Sequence, residues 1–146
     1  PAPAAATASV AAAAGPRAGL RVLLADDNVD AADTMSAMLE MSGHEVRTVY
    51  SGRAVLQEAP AFAPEVMLLD IGMPGMSGYE VAQRLRADAH YERTVLVALT
   101  GWGSESDRAQ ALDAGFDHHL TKPVDHLVLE RLLRQLAPGS SELPAA

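Results

Sequence analysis

The 146-residue sequence contains no cysteine and few aromatic residues. Without cysteine there can be no disulfide bond, thiolate zinc site or cysteine nucleophile, and this composition is typical of a reducing compartment. Aromatic residues make up 4% of the chain although 49% of it is hydrophobic, so the core must be mainly aliphatic. The length suits one domain, so we expect a single aliphatic core. The absence of cysteine leads us to expect a cytoplasmic protein.

Basic residues are also scarce: 11 Lys and Arg stand against 19 Asp and Glu, which gives a net charge of −8. This balance argues against nucleic acid as a direct partner, since a surface that follows phosphates needs clustered Lys and Arg. It also argues against direct contact with an anionic membrane, and no run approaches the ~18 apolar residues of a transmembrane helix. An acidic chain is, however, suited to binding a divalent cation.

Both ends of the chain lack bulky side chains. Residues 1–18 are Ala, Pro, Ser, Thr and Gly apart from Val10 and Arg17, which predicts a flexible Ala/Pro-rich linker. Residues 138–146 predict a flexible tail in the same way, so the folded domain is expected over residues 19–137. Because the chain begins with Pro1 and not Met, we interpret it as a piece of a longer protein.

Short apolar runs alternate with helical patterns inside the predicted domain. Several runs are continuously apolar, which is typical of strands that are covered on both faces. A βα unit repeated five times requires a doubly wound α/β fold, with a five-stranded parallel sheet and helices on both faces. The predicted strands cover residues 21–25, 45–49, 66–69, 94–99 and 118–121. The predicted buried helix faces are formed by Met35, Met38 and Leu39, by Ala82 and Leu85, and by Val128, Leu132, Leu133 and Leu136.

Local signals mark several helix ends. Gly43 is placed for a C-terminal cap, and Ser51 and Ser104 are placed for N-terminal caps. The helix predicted over residues 104–114 is the least apolar, and we expect it to be loosely held. Its candidates for burial are Ala109, Ala111 and Leu112.

Polar side chains stand at the ends of four predicted strands. Asp26 and Asp27 end the first strand, Asp70 the third, Thr100 the fourth and Lys122 the fifth. Each has an ordinary explanation as a helix cap, a turn residue or a surface charge. The carboxyl ends of parallel strands meet at one edge of the sheet, however, where open α/β sheets bind their ligands. Separate explanations would require four coincidences at equivalent strand ends, so a shared functional site is favoured.

The residue types indicate the chemistry of this site. Close carboxylates repel each other by roughly 4 kcal/mol per pair at an effective dielectric constant near 20, so the cluster must hold protons or a hard cation. Oxygen ligands with room for water suit Mg²⁺, and a hydroxyl with an ammonium suits phosphoryl oxygens. The sequence has no Walker-type phosphate loop. We therefore expect a carboxylate that accepts a phosphoryl group covalently, and not a nucleotide site.

Four segments together resemble the receiver domain of response regulators of the chemotaxis type. They are LLADDN (23–28), LLDIGMPGMSGYE (68–80), ALTGWG (98–103) and HHLTKPVD (118–125), and the resemblance covers residues 20–137. It implies a flavodoxin-like (βα)5 fold with strand order 2-1-3-4-5.

The resemblance also implies a role for each residue of the site. Asp70 would accept the phosphoryl group, and Thr100 and Lys122 would bind its oxygens. Asp27 would bind Mg²⁺ directly and Asp26 mainly through a water molecule, with the backbone carbonyl of Gly72 as a further ligand. The family usually has a cis peptide bond between the lysine and the following proline, here Pro123.

One position departs from the family pattern. Three residues before Lys122, where the family most often has Tyr or Phe as a rotamer switch coupled to Thr100, this chain has His119. Histidine can fill that position but is smaller, polar and titratable. A metal site formed by His118 and His119 is disfavoured, because adjacent strand residues point to opposite faces. Trp102 and Gly72 are implied to line the entrance to the phosphoryl group.

The resemblance implies Mg²⁺-dependent transfer of a phosphoryl group from a histidine kinase or a histidine phosphotransfer domain to Asp70. The domain would catalyse its own phosphorylation and dephosphorylation, switching the surface around helix 4, strand 5 and helix 5. A phosphorylation-independent binding module is the alternative, and a haloacid-dehalogenase-like phosphatase is disfavoured because no DxDxT pattern follows the first strand. We favour the C-terminal receiver of a hybrid sensor histidine kinase over a stand-alone regulator, and a monomer.

Overall fold

The computed structural model describes residues 19–101 and 105–136, without the side chains of residues 105 and 106. Four sequence predictions lie outside the described residues: the linker over 1–18, the tail over 138–146, the role of Trp102 and the helix cap at Ser104. No helix in the described part of the chain combines the length and apolarity needed to cross a bilayer.

Five parallel strands form one sheet in the order β2-β1-β3-β4-β5, which confirms the predicted topology. Strand β3 ends one residue later than predicted, and β4 covers 95–100 where 94–99 was predicted, because Asp70 pairs with Leu99 and Thr100 pairs with Thr121. The edge strand β2 alternates exposed charged residues, Glu45 and Arg47, with more buried ones. The strands are β1 (Arg21–Ala25), β2 (Glu45–Val49), β3 (Val66–Asp70), β4 (Val95–Thr100) and β5 (His118–Thr121).

Five helices connect or follow the strands, and their ends carry the expected caps where the structure describes them. The Oγ atom of Ser51 accepts a hydrogen bond from Ala54 N, and Gly43 follows the first helix with a φ of 99°. The first helix is capped by Asn28, whose Oδ1 accepts from Ala31 N, so neither neighbouring aspartate is needed as a cap. The helices are α1 (Val29–Met41), α2 (Gly52–Phe62), α3 (Gly78–Arg86), α4 (Glu105–Ala114) and α5 (His126–Leu136), with a 3₁₀ turn at Ala89–Tyr91.

The core consists of two aliphatic layers, one on each face of the sheet. Alternate residues of the strands point to opposite layers, so the continuous apolar runs are buried on both sides. One layer packs against α2, α3 and the end of α4, and its larger members include Leu23, Met67, Val81 and Leu85. The other packs against α1 and α5, and its larger members include Leu24, Leu39, Leu68, Leu129 and Leu133.

Two predicted helix faces need correction. In α5, Val128 is 42% exposed while its neighbour Leu129 is buried, because the stripe that meets the sheet follows Leu129 and Leu133. In α4, Ala109 and Leu112 are exposed and the buried residues are Ala111 and Ala114. Hydrophobicity indicated an apolar stripe in both helices, but the rotation of each helix about its axis depends on its contacts with the sheet.

Shortening the side chain of Leu129 tests the corrected face of α5. We expect Leu129→Ala to lower the free energy of unfolding by about 2–5 kcal/mol, because it removes buried methyl groups and leaves a cavity. The matched change Val128→Ala should cost less than about 1 kcal/mol, since Val128 is largely exposed. Urea unfolding of both variants measures the difference, and a larger loss at Val128 would restore the original prediction.

Candidate functional site

Three carboxylates meet at the carboxyl edge of the sheet, as the strand ends predict. Asp26 and Asp27 follow β1, and Asp70 ends the neighbouring strand β3. One oxygen from each carboxylate lies within 4.8 Å of the others, with Asp26 and Asp70 buried and Asp27 exposed. Carboxylate oxygens, two of them held in the fold and one facing solvent, fit a hard divalent cation that keeps part of its water shell.

The buried carboxylates are oriented by backbone groups of their own loops. Asp26 Oδ1 accepts a hydrogen bond from Asn28 N at 2.9 Å, and Asp70 Oδ1 accepts one from Gly72 N at 3.1 Å. Each hydrogen bond closes a short turn in which the aspartate side chain binds the backbone amide two residues further along the chain. These bonds hold the two carboxylates at defined positions before any ligand binds.

Lys122 places a positive charge between the same two carboxylates. Its Nζ atom lies 3.2 Å from Asp26 Oδ2 and 3.1 Å from Asp70 Oδ1. Burial alone lowers the pKa of this ammonium, but hydrogen bonds and charges from Asp70 and Asp26 outweigh burial, and the pKa of Lys122 is raised. Lys122 N also donates to Thr100 O at 2.6 Å, and the bond to Pro123 is cis, as the resemblance implied.

A close approach of α3 shapes the loop after Asp70. Gly78 N donates to Ile71 O at 3.1 Å, which folds the loop back on itself. A side chain at Gly78 would clash, because its Cβ would lie 2.7 Å from the backbone oxygen of Asp70. Glycine therefore lets the first turn of α3 rest directly against the end of β3.

Asp70, Thr100 and Lys122 line one cleft of about 480 Å³ together with Gly72. Thr100 is buried at the end of β4, so the structure brings together the residues predicted to handle a phosphoryl group. Among the lining residues that sequence analysis missed are Tyr79 from α3, and Asp107 and Gln110 from α4. The predicted topology could have identified them, because α3 and α4 both begin at the carboxyl edge of the sheet.

The two histidines of β5 have different surroundings. His119 is half-buried and pairs with Ala98 of β4, whereas His118 is exposed and pairs with Val97. Adjacent residues of a strand point to opposite faces, so the two rings do not converge on one site. His119 thus lies on the edge strand that precedes Lys122, but it does not line the cleft.

Comparison with known proteins agrees with this geometry. The sequence matches the family model described as response regulator receiver domain over residues 22–134. The chain therefore belongs to the response regulator receiver domain family.

Relatives with this domain differ in overall length. The chain is 31% identical to the protein PilH of Pseudomonas aeruginosa over 119 residues, which cover 82% of this chain and 98% of PilH. It is 34% identical to the phosphate regulon transcriptional regulatory protein PhoB of the same species over 133 residues, or 86% of this chain and 57% of PhoB. The chain thus spans nearly all of one relative and little more than half of the other.

Solved structures show the same fold. The chemotaxis response regulator CheY4 of Vibrio cholerae superposes with a TM-score of 0.75 at 28% identity, covering 80% of this chain and 97% of CheY4. The receiver domain of the sensor histidine kinase PA1611 from Pseudomonas aeruginosa superposes with a TM-score of 0.74 at 30% identity, covering 82% and 98%. That second structure has a magnesium ion coordinated in its active site cleft.

Neutralising Asp27 tests whether the carboxylates repel each other. We expect Asp27→Asn to raise the melting temperature by about 2–5 °C in metal-free buffer, because one ammonium faces three carboxylates there. Asp27 is exposed, so the change should not disturb packing. Glu92→Gln removes an exposed charge elsewhere and serves as the control. Thermal unfolding in the presence of EDTA measures both, and an unchanged or lower value for Asp27→Asn would contradict the repulsion.

Proposed function

We propose that this receiver domain accepts a phosphoryl group on Asp70 from the phosphohistidine of a histidine kinase or a histidine phosphotransfer domain. The observation that carries the proposal is the bridge from Lys122 Nζ to Asp26 and Asp70, inside a cluster of three carboxylates. A purely structural ion pair would need one carboxylate, whereas a third carboxylate beside it destabilises the protein without a ligand.

In the proposed reaction, Asp70 is the nucleophile. Its Oδ1 atom is held by Gly72 N and Lys122 Nζ, so Oδ2 attacks phosphorus in line with the P–N bond of the donor. The new O–P bond forms as the P–N bond breaks, and the electron pair returns to the imidazole, which takes up a proton from solvent. Lys122 and the hydroxyl of Thr100 then bind the phosphoryl oxygens in the cleft.

Mg²⁺ is the cofactor that the acidic cluster would hold. Asp27 and Asp70 would bind it through carboxylate oxygens, and Asp26 mainly through a water molecule. The backbone carbonyl of Gly72 would be a further ligand. When bound, Mg²⁺ neutralises part of the charge on the phosphoryl oxygens. The magnesium in the receiver domain of PA1611, which has the same fold, supports this assignment.

The signal is proposed to leave the site through Thr100 and His119. Thr100 ends β4 and His119 lies on the adjacent edge strand β5, which leads directly into α5. A shift of the Thr100 hydroxyl toward a phosphoryl group would change the space next to β5, and His119 would respond at the surface of α4, β5 and α5.

For the parent protein we propose a hybrid sensor histidine kinase, because the chain resembles the receiver domain of the sensor histidine kinase PA1611.

Phosphorylation in vitro tests the role of Asp70. Incubation with acetyl phosphate and Mg²⁺ should add the mass of one phosphoryl group to the wild-type domain, and EDTA should prevent it. Asp70→Asn should show no adduct, because the amide is not a competent nucleophile, while Asp113→Asn, an exposed change on α4, should react like the wild type. Absence of an adduct in the wild type would favour a phosphorylation-independent binding module.

Replacement of His119 tests the proposed relay. We expect His119→Ala to be phosphorylated at a rate within about twofold of the wild type, because His119 lies outside the cleft. The chemical-shift changes that phosphorylation produces in β5 and α5 should become smaller in this variant. The control is His118→Ala, which alters the exposed neighbour. If phosphorylation changes the chemical shifts of β5 and α5 as much in His119→Ala as in the wild type, His119 does not transmit the signal.

A further inference from the structure

One polar side chain of the cleft has no part in the proposed transfer to Asp70. Gln110 of α4 lines the cleft together with Asp70, Thr100 and Lys122. It is exposed to solvent, and its amide forms no hydrogen bond within the described part of the chain. An amide can both donate and accept hydrogen bonds, so Gln110 is available to bind a molecule that enters the cleft.

The packing of α4 fixes the place of Gln110 on the cleft wall. The next residue, Ala111, and Ala114 at the end of the helix are buried against the core, which sets the rotation of α4 about its axis. Arg86 of α3 holds the chain just after the helix, because its Nε atom donates to Gly115 O at 2.9 Å. Gln110 is thus positioned by contacts that do not use its amide.

The other polar side chains of the cleft are already engaged. Lys122 contacts two carboxylates, and Thr100 and Asp107 each have a further interaction in the fold. Tyr79 packs against the core, and burial together with the charge of Asp107 raises the pKa of its phenol, which therefore keeps its proton at neutral pH. A water molecule in the cleft consequently finds in Gln110 a neutral acceptor without a competing partner.

The rim of the cleft leaves room for this water. Gly101 directly follows Thr100, and a Cβ atom at Gly101 would meet no atom of the described chain within 4 Å. A Cβ atom at Gly72 would meet only Asp70 Oδ1, at 3.9 Å. Both glycines are exposed, so solvent can reach a phosphoryl group on Asp70.

Hydrolysis of an aspartyl phosphate needs a water molecule in line with the bond that breaks. The water oxygen attacks phosphorus as the bond between phosphorus and Asp70 Oδ2 breaks, and the electron pair returns to the Asp70 carboxylate. The water leaves as part of dihydrogen phosphate, which exchanges its protons with solvent. An amide oxygen suits the holding of this water, because it accepts a hydrogen bond without adding negative charge beside the phosphoryl group.

We propose that Gln110 is a water-positioning residue for hydrolysis of the phosphoryl group on Asp70, with its Oε1 atom accepting a hydrogen bond from the attacking water. This inference rests on the proposed phosphorylation of Asp70. Phosphorylation itself does not use Gln110, because Asp70 and not water is then the nucleophile. The α4 wall of the cleft thereby limits how long the phosphorylated state lasts.

Release of inorganic phosphate measures this role, after the domain is phosphorylated with acetyl phosphate and Mg²⁺ and rapidly desalted into Mg²⁺ buffer. We expect Gln110→Met, which keeps a long unbranched side chain but lacks the amide, to hydrolyse about 5–20-fold more slowly than the wild type. Its rate of phosphorylation and its affinity for beryllofluoride, a mimic of the phosphoryl group, should stay within about twofold. The control Gln135→Met makes the same change at an exposed residue of α5 outside the cleft and should match the wild type in all three measurements.

The three measurements separate lost water positioning from a distorted site. Slower hydrolysis with unchanged phosphorylation supports the role of Gln110, whereas hydrolysis of Gln110→Met at the wild-type rate would overturn it. Equal slowing of phosphorylation and hydrolysis would also overturn it, because a group that acts on water alone leaves phosphorylation unchanged. A wild-type domain that takes up no phosphoryl group would instead overturn the proposed function.

Discussion

The double ion pair of Lys122 with Asp26 and Asp70 is the interaction on which the carboxyl edge of the sheet depends. One ammonium contacts carboxylates from the ends of β1 and β3, while its backbone amide bonds to the end of β4. Four of the five strands, including β5, which Lys122 directly follows, are thereby joined at a single residue. Because the ammonium is shared, any charge that enters the cleft must alter both pairs, and this links the reacting group to several strands.

The core makes such an edge possible. Leu23, Leu24, Leu68 and Leu69 are fully buried in the central strands, so the sheet is stabilised by apolar burial on both faces. Repulsion among the carboxylates opposes this stability, but it acts at the ends of the strands where packing does not depend on it. The division between an apolar interior and a charged rim explains how a reactive cluster persists in a small domain.

Most of the fold and much of the site could be predicted from the sequence. Continuous apolar runs identified the strands, and their polar ends identified Asp26, Asp27, Asp70, Thr100 and Lys122, because parallel topology alone brings strand ends together. The faces of α4 and α5 were partly wrong, since two stripes of similar hydrophobicity compete in α5 and only packing selects Leu129. Asp107 and Tyr79 were missed because their place in the cleft depends on how α3 and α4 lie on the sheet.

The edge strand β2 has a consequence for how copies of this domain can coexist. An open parallel sheet leaves one row of backbone donors and acceptors available along β2, and another chain could extend the sheet there. The exposed charges of Glu45 and Arg47 stand along that row, and Arg47 is further tied to Glu58 of α2 and lies over the ring of Phe62. Strand addition would have to strip water from these charges. A second domain that adds a strand at this edge must therefore desolvate two charges, so the β2 edge is protected against extension of the sheet at high local concentration.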